Sequence, residues 1–243
     1  MISLALAAGY ATRMYPLTEN FPKPLLPVAG LTILDRLLMD LDRMDEVERH
    51  VVVSNHKFID HFEKWKRETP LKKPIVLIDD GTTSNEDRLG AVRDIQLAVD
   101  REQIDDDLFV MAADNLLDFS LRALVDAFLQ DGVSRIFCYR EPDLAMLRRC
   151  GVVTLDDGFR AIRMVEKPQQ PESNWAVPPF YLYARGDVPQ IAKAIADGAN
   201  VDAPGSLVSW LCERTEIKAL EMPGKRVDVG SLEAYERVKV KGI

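Results

Sequence analysis

Short apolar runs of strand length alternate along this chain with longer segments that have the 3.6-residue period of helices. Ile2 to Ala8 is the first apolar run, Leu34 to Leu41 has the helical period, and Val51 to Val53 is the next apolar run. This alternation predicts βαβ units around a mostly parallel sheet. With 243 residues, 47% of them hydrophobic, the chain can bury one large core, which excludes a disordered or fibrous protein.

The pattern changes after about Cys150, where short extended pieces follow one another without full helices between them. Further strands are predicted at 75–78, 108–112, 135–139, 152–155, 160–165, 180–183, 217–220 and 227–229. Further helices are predicted at 58–66, 87–99, 121–129, 188–196, 205–212 and from 231 onward. The predicted fold class is therefore α/β and Rossmann-like, a mostly parallel sheet flanked by helices, with a small mixed or antiparallel insertion.

Charge and cysteine content limit the class of protein. The formal net charge is −8, opposite to the basic surface of proteins that bind nucleic acid through its backbone. Cys138, Cys150 and Cys212 are odd in number and widely spaced, which fits reduced thiols better than disulfides or zinc ligands. The first residues have neither the basic region nor the 7–15-residue apolar stretch of a secretion leader, and no run reaches 18 apolar residues, so we expect a cytoplasmic protein without a membrane partner.

The segment from Gly9 to Gly30 is a long connection whose prolines, at positions 16, 22, 24 and 27, exclude a regular helix. A loop of this length inside a compact domain usually has a function. Small residues at the end of the first strand let a ligand approach the backbone, while Arg13 and Lys23 provide positive charge. The loop therefore predicts a phosphate site, although it has neither a dinucleotide fingerprint nor a P-loop motif.

Residues Leu6 to Val28 resemble the signature of the nucleoside-triphosphate-dependent sugar-phosphate nucleotidylyltransferases. That family includes glucose-1-phosphate thymidylyltransferases and short members such as N-acetylmuramate-phosphate uridylyltransferases and phosphocholine cytidylyltransferases. The resemblance implies an enzyme with a Rossmann-like domain that wraps the nucleotide in this loop. The nucleotide-binding residues that it implies are Ala7, Ala8, Gly9, Tyr10, Ala11, Thr12, Arg13, Asn85 and Gly90.

Two aspartates follow predicted strands and are similar to the metal ligands of that family. Asp114 comes after the strand 108–112, and Asp228 lies in Val227-Asp228-Val229-Gly230. Carboxylates at strand ends suit Mg²⁺, which prefers oxygen ligands and keeps substrate phosphates in its shell. The resemblance therefore implies Mg²⁺ as cofactor and Arg13, Lys23 and Asp114 as catalytic residues.

The insertion contains residues that resemble the family's acceptor site. Glu166-Lys167-Pro168 is similar to its Glu-Lys-Pro element, and Gly151 to its upstream glycine. Pro178 and Pro179, however, replace a glycine of many relatives, which leaves the acceptor open. A sugar 1-phosphate is favoured; the alternatives are a non-sugar phosphate such as phosphocholine, or a regulatory subunit that senses such ligands without catalysis.

The chain as a whole is predicted to form a single nucleotidyltransferase domain. Its nucleotide-binding part spans about 1–140 and its acceptor-binding part about 141–230. The expected partners are a nucleoside triphosphate and a phosphorylated small molecule, without nucleic acid. Neither the base of the nucleotide nor an association into homo-oligomers follows from the sequence.

Overall fold

The computed structural model describes residues 1–240 and divides the chain into two compact units. Of the described residues, the first unit comprises Met1–Leu89, Met111–Arg122 and 224–240, and the second comprises Gly90–Val110 and Ala123–Pro223. The strands are β1 (Ile2–Leu6), β2 (Pro27–Val28), β3 (Leu31–Thr32), β4 (Arg49–Ser54), β5 (Ile75–Asp79), β6 (Leu108–Ala112), β7 (Asn115–Leu117), β8 (Ser134–Arg140), β9 (Gly151–Leu155), β10 (Ala161–Glu166), β11 (Trp175–Val177), β12 (Phe180–Tyr183), β13 (Ile217–Glu221) and β14 (Arg226–Asp228). The α-helices are α1 (Ile33–Asp42), α2 (Ile59–Glu68), α3 (Ala91–Glu102), α4 (Arg122–Leu129), α5 (Leu144–Leu147), α6 (Gln190–Ala196), α7 (Gly205–Leu211) and α8 (Leu232–Val238).

The first unit is built on three parallel strands that lie side by side in the order β1-β4-β5. Leu4 of β1 pairs with Val51 of β4, which in turn pairs with Val76 of β5, and both pairs are parallel. Leu4 and Val51 are fully buried, as expected for a parallel sheet covered on both faces. Because parallel strands end at the same edge, the loops that follow β1, β4 and β5 lie along one side of this unit.

Helix α1 begins where the sequence predicts. Thr32 accepts a hydrogen bond from the backbone N–H of Asp35, whose carboxylate accepts one from the Thr32 backbone, which completes a capping box. Leu34, Leu38 and Leu41 are fully buried, so the apolar face predicted from the 3.6-residue period faces the core.

The second unit is mainly antiparallel. Its strands follow the order β10-β9-β11-β8-β12, and each neighbouring pair is antiparallel. Strand β13 also pairs with β8, in parallel. The predicted fold class is confirmed: an α/β protein with parallel strands, flanking helices and an antiparallel part after about residue 150.

Two local predictions need correction. Helix α3 starts at Ala91, four residues after the predicted start, because the Asp87 carboxylate accepts hydrogen bonds from Thr83 and Ser84 and forms a turn there instead. The second correction is one of detail: the segment 9–30 contains no α-helix, as its prolines predict, but it has 3-10 turns at Thr12–Met14 and Lys23–Leu25. Among residues 1–240, none of the helices has the length and apolar character needed to cross a bilayer.

Candidate active site

The loop that follows β1 is held by the neighbouring loop after β4. The backbone N–H of Ala7 donates to the carbonyl of Val53, and the side-chain amide of Asn55 donates to the carbonyl of Ala8. Gly9 leaves open space, because a Cβ atom there would have no other residue within 4 Å. Ala11 adopts the left-handed conformation, with φ of 47°, so the chain can turn into the 3-10 turn that carries Arg13.

Lys23 reaches the end of β6. Pro22 is extended and Pro24 lies within the 3-10 turn, so both neighbours restrict the backbone that carries this lysine. The Lys23 ammonium group lies 2.6 Å from Oδ2 of Asp114, and their side chains are only 14% and 28% exposed. The sequence-predicted cation and the predicted metal-ligating carboxylate are therefore in direct contact.

Asp114 is also held by a pair of residues that the sequence analysis missed. The side-chain amide of Asn115 donates to Oδ1 of Asp114 at 2.7 Å, and the guanidinium group of Arg226 donates to Oδ1 of Asn115 at 2.6 Å. Burial opposes ionisation of Asp114, but the charge and hydrogen bond of Lys23 and the charge of Arg226 together outweigh it and lower the pKa of that carboxyl group. Arg226 could have been found from its spacing. It lies two residues before Asp228 in the same strand, so both side chains lie on one face and Arg226 is expected near the carboxylates.

Asp228 lies beside this pair. Strand β14 is antiparallel to β7 with Asp228 opposite Asn115, and the N–H of Val229 donates to the carbonyl of Asp114 at 2.9 Å. Burial and the negative charge of Asp114 raise the pKa of Asp228, whereas the charge of Arg13 is among those that lower it. Arg13 is exposed, and its positive charge acts on the Asp228 carboxylate by electrostatic attraction.

A cavity of about 100 Å³ lies between the loop after β1 and the end of β6. Its lining residues are Leu6, Ala7, Gly9, Ala11, Lys23, Pro24, Ala112, Ala113 and Asp114. A divalent cation would relieve the repulsion between Asp114 and Asp228, and one or two carboxylates with water and phosphate oxygens form the usual Mg²⁺ shell. The donor set therefore fits Mg²⁺, although no cluster of three or more His, Cys, Asp or Glu side chains occurs within the described part of the chain.

The two residues proposed for the base, Asn85 and Gly90, belong to different units. Asn85 lies in the turn before α3, within the first unit, where its carbonyl accepts a hydrogen bond from Arg88. Gly90 belongs to the second unit and precedes α3 with φ of 91°. A Cβ atom at Gly90 would lie 2.6 Å from the carbonyl oxygen of Val201, so close backbone packing explains this glycine.

The second unit brings the predicted acceptor residues together. Gly151 pairs with Glu166 across β9 and β10, and the N–H of Lys167 donates to the carbonyl of Cys150. Burial raises the pKa of Glu166, and the ammonium group of Lys167, 3.9 Å away, offsets this only partly. Lys167 has φ of 50°, a left-handed conformation that costs a residue with a Cβ atom about 1 to 2 kcal/mol.

Gly205, at the start of α7, was not identified from the sequence. A Cβ atom there would lie 2.3 Å from Oε2 of Glu166 and 3.3 Å from the Tyr181 hydroxyl oxygen. The absence of a side chain therefore makes room for the buried carboxylate. No local sequence pattern relates positions 166 and 205.

Comparison with known proteins identifies relatives over nearly the whole chain. The family model described as nucleotidyl transferase matches residues 2–242. A protein named UTP–glucose-1-phosphate uridylyltransferase AglF, from Haloferax volcanii, is 29% identical over 238 residues, which are 95% of this chain and 91% of the relative. A putative mannose-1-phosphate guanyltransferase from Sulfolobus acidocaldarius is 27% identical over 244 residues, 98% of this chain; the chain spans only 62% of that relative.

The fold is shared with solved structures. A putative glucose-1-phosphate thymidylyltransferase from Bacillus anthracis, solved in complex with a sucrose, superposes with a TM-score of 0.83 at 20% identity. The match covers all of this chain and 96% of that one. At this identity the superposition establishes the common fold.

Proposed function

Because the chain belongs to the nucleotidyl transferase family, we propose that it transfers a nucleotidyl group from a nucleoside triphosphate to a phosphate monoester. A sugar 1-phosphate is the favoured acceptor, since the relatives are named for glucose-1-phosphate and mannose-1-phosphate. The products are then a nucleoside diphosphate sugar and pyrophosphate. The observation that supports the proposal most strongly is the contact of Lys23 with Asp114, beside Asp228 and the open loop after β1.

In the proposed reaction an oxygen of the acceptor phosphate attacks the α-phosphorus of the triphosphate. A new phosphorus–oxygen bond forms as the bond between the α-phosphorus and the α,β-bridging oxygen breaks, and pyrophosphate leaves with both electrons of that bond. The acceptor phosphate is already an anion, so a protein nucleophile or base is not required. Positioning and charge neutralisation supply the catalysis.

The cationic residues have separate roles in this proposal. Arg13 stabilises the negative charge that develops on the β- and γ-phosphates, and Lys23 acts near the α-phosphate. Lys167 binds the phosphate of the acceptor, while Glu166 and Gly151 face the rest of that molecule. Asp114 and Asp228 would hold Mg²⁺, which neutralises charge on the triphosphate oxygens when it is bound.

A screen of nucleoside triphosphates against candidate acceptors tests the proposal. ATP, CTP, GTP, UTP and dTTP would be paired with sugar 1-phosphates and with phosphocholine, in the presence of Mg²⁺, and scored by release of pyrophosphate. We expect release for at least one sugar 1-phosphate and its loss in Lys23→Met. Nucleotide binding without pyrophosphate for any acceptor would contradict the proposal and support the regulatory alternative.

A further inference from the structure

Tyr10 connects two loops that follow different strands of the first unit. It belongs to the loop after β1, yet its side chain is only 3% exposed and its hydroxyl oxygen lies 3.0 Å from Oγ1 of Thr82. Thr82 follows β5 and is 5% exposed. The contact passes the end of β4, which lies between β1 and β5 in the sheet.

The surrounding groups fix the direction of this hydrogen bond. Oγ1 of Thr82 lies 2.8 Å from Oδ1 of Asp80, and a carboxylate only accepts hydrogen bonds. The single hydroxyl hydrogen of Thr82 is therefore used toward Asp80, so Tyr10 must donate to Thr82. The result is a series of two hydrogen bonds in which Tyr10 donates to Thr82 and Thr82 donates to Asp80.

Other contacts hold Thr82 and the ring of Tyr10 in place. The backbone carbonyl of Thr82 accepts a hydrogen bond from the N–H of His56 at 2.9 Å, and its N–H donates to Asp80 at 2.7 Å. The ring of Tyr10 packs against Phe58, with centroids 6.4 Å apart. The hydroxyl of Tyr10 is thus the side-chain link between a loop suited to phosphate and the loop 80–87, which carries Asn85.

We propose that Tyr10 is a positioning residue for nucleotide choice: its hydrogen bond to Thr82 fixes the position of the loop 80–87 relative to the loop after β1. This inference rests on the proposed function. A nucleotide with its phosphates at the loop after β1 extends along the same edge of the sheet, where the loop after β5 also lies. Because Asn85 has both a donor and an acceptor, the position of its loop affects which base edge it can bind.

Steady-state kinetics of four variants test the role. Tyr10→Phe and Thr82→Val each remove the hydrogen bond, Thr82→Ser retains it, and Tyr15→Phe is a matched control because Tyr15 is 40% exposed in the same loop. We expect Tyr10→Phe to raise KM for the preferred triphosphate about fivefold, the effect of one hydrogen bond, and Thr82→Val, which also loses the bond to Asp80, to raise it at least as much. The preference in kcat/KM over the next best triphosphate should fall by a similar factor, with kcat and the acceptor KM within about twofold of wild type.

The double variant and hydrogen exchange separate this role from general loosening. Tyr10→Phe/Thr82→Val should be no more impaired than Thr82→Val, because Thr82→Val alone already removes the bond to Tyr10 together with the Thr82 bond to Asp80. Backbone amides of residues 80–84 should exchange faster in Tyr10→Phe than in wild type or Tyr15→Phe. Additive effects, an unchanged triphosphate KM, unchanged exchange or an equal rise in the acceptor KM would each overturn the proposal.

The two proposals fail in different ways. A wild-type protein that releases no pyrophosphate with any triphosphate and acceptor would overturn the proposed reaction and, with it, the role of Tyr10 in nucleotide choice. An active wild type with an unchanged Tyr10→Phe variant would overturn the role of Tyr10 alone.

Discussion

At the scale of single residues, the charges around Asp114 decide what the first unit can bind. Both carboxylate oxygens of Asp114 accept hydrogen bonds, one from Lys23 and one from Asn115. Asp228 lies in the neighbouring strand and has a raised pKa because it is buried beside this negative charge. The pair is therefore unfavourable without compensating positive charge, which Lys23 and Arg226 supply in part and a divalent cation held by the two carboxylates would increase.

We expect Asp114→Asn to lower kcat/KM about 100-fold, the usual cost of one preorganised electrostatic contact, while the protein remains folded. Asn keeps the size of the side chain but removes the charge that contacts Lys23. Steady-state pyrophosphate release measures the effect, and circular dichroism checks the fold. Asp118→Asn is the matched control, since Asp118 is exposed and bonds to Lys225 rather than to Lys23; equal activity in both variants would remove Asp114 from the mechanism.

Lys167→Gln should raise the KM for the acceptor about tenfold or more, because a charge-assisted hydrogen bond to its phosphate is lost. The triphosphate KM should stay near the wild-type value. Lys167→Arg keeps the charge and Lys167→Gly relieves the positive φ without it. If Lys167→Gly were as active as wild type, the unusual backbone conformation would be structural and the lysine would have no role in binding.

Two charged residues of this site, Lys23 and Asp114, could be singled out from the sequence. Lys23 stands out because prolines flank it, and Asp114 because it follows an apolar strand. The spacing of two between Arg226 and Asp228 indicates that both lie on one face of a strand, but no local pattern relates Arg226 to Asn115, which lies 111 residues away, so their contact was missed. The left-handed backbone conformation of Ala11 was also missed. Alanine has no intrinsic preference for that conformation, so it is imposed by the fold and is not indicated by the residue type.

At the scale of elements, turns limited the prediction more than helices and strands did. The apolar faces of α1 and the buried strands follow from hydrophobic period alone. The start of α3 depends on the hydrogen bonds that the Asp87 carboxylate accepts from the backbone N–H groups of Thr83 and Ser84. These bonds favour a turn over a helix, and the hydrophobic periodicity contains no information about them.

Helix α7 has a specific requirement at its first residue. Gly205→Ala would place a Cβ atom 2.3 Å from Oε2 of Glu166, so the carboxylate has to move. We expect the acceptor KM to rise about tenfold or more, since displacements of about 1 Å in a site have effects of this size or larger. The triphosphate KM should not change.

The matched control for this helix is Gly186→Ala. Gly186 lies in the same unit, and a Cβ atom there has no other residue within 4 Å. A wild-type acceptor KM in Gly205→Ala would show that the Glu166 carboxylate does not contact the acceptor.

At the scale of the whole molecule, the stability of the chain depends on buried polar groups as well as on its apolar core. Ser3, His50 and Asp42 form a hydrogen-bonded series in which Ser3 and His50 are fully buried. Burial lowers the pKa of His50, although Asp42 acts in the opposite direction. Neutral His50 therefore donates from Nε2 to Asp42 and accepts at Nδ1 from the Ser3 hydroxyl, because a carboxylate cannot donate.

This lowered pKa has a defined consequence for unfolding. Below the unfolded pKa of about 6.5 the unfolded chain binds a proton that folded His50 resists, so the free energy of unfolding falls as pH decreases from neutral. The slope for one proton is at most about 1.4 kcal/mol per pH unit. The contribution of His56 to the free energy of unfolding changes with pH in the opposite direction. Its exposed ring is hydrogen-bonded to Asp79, which raises its pKa, so protonation of His56 stabilises the folded chain as pH decreases.

Urea unfolding between pH 7.5 and 5 should therefore show a smaller loss of stability in His50→Gln than in wild type, since glutamine binds no proton in this range. His50→Gln should also be less stable at pH 7.5, by about 1 to 3 kcal/mol, because it disturbs buried hydrogen bonds to Ser3 and Asp42. His56→Gln should lose stability more steeply than wild type on acidification. Parallel stability curves for wild type and His50→Gln would mean that His50 takes up its proton as readily in the folded chain as in the unfolded one, which burial in the Ser3 and Asp42 series forbids.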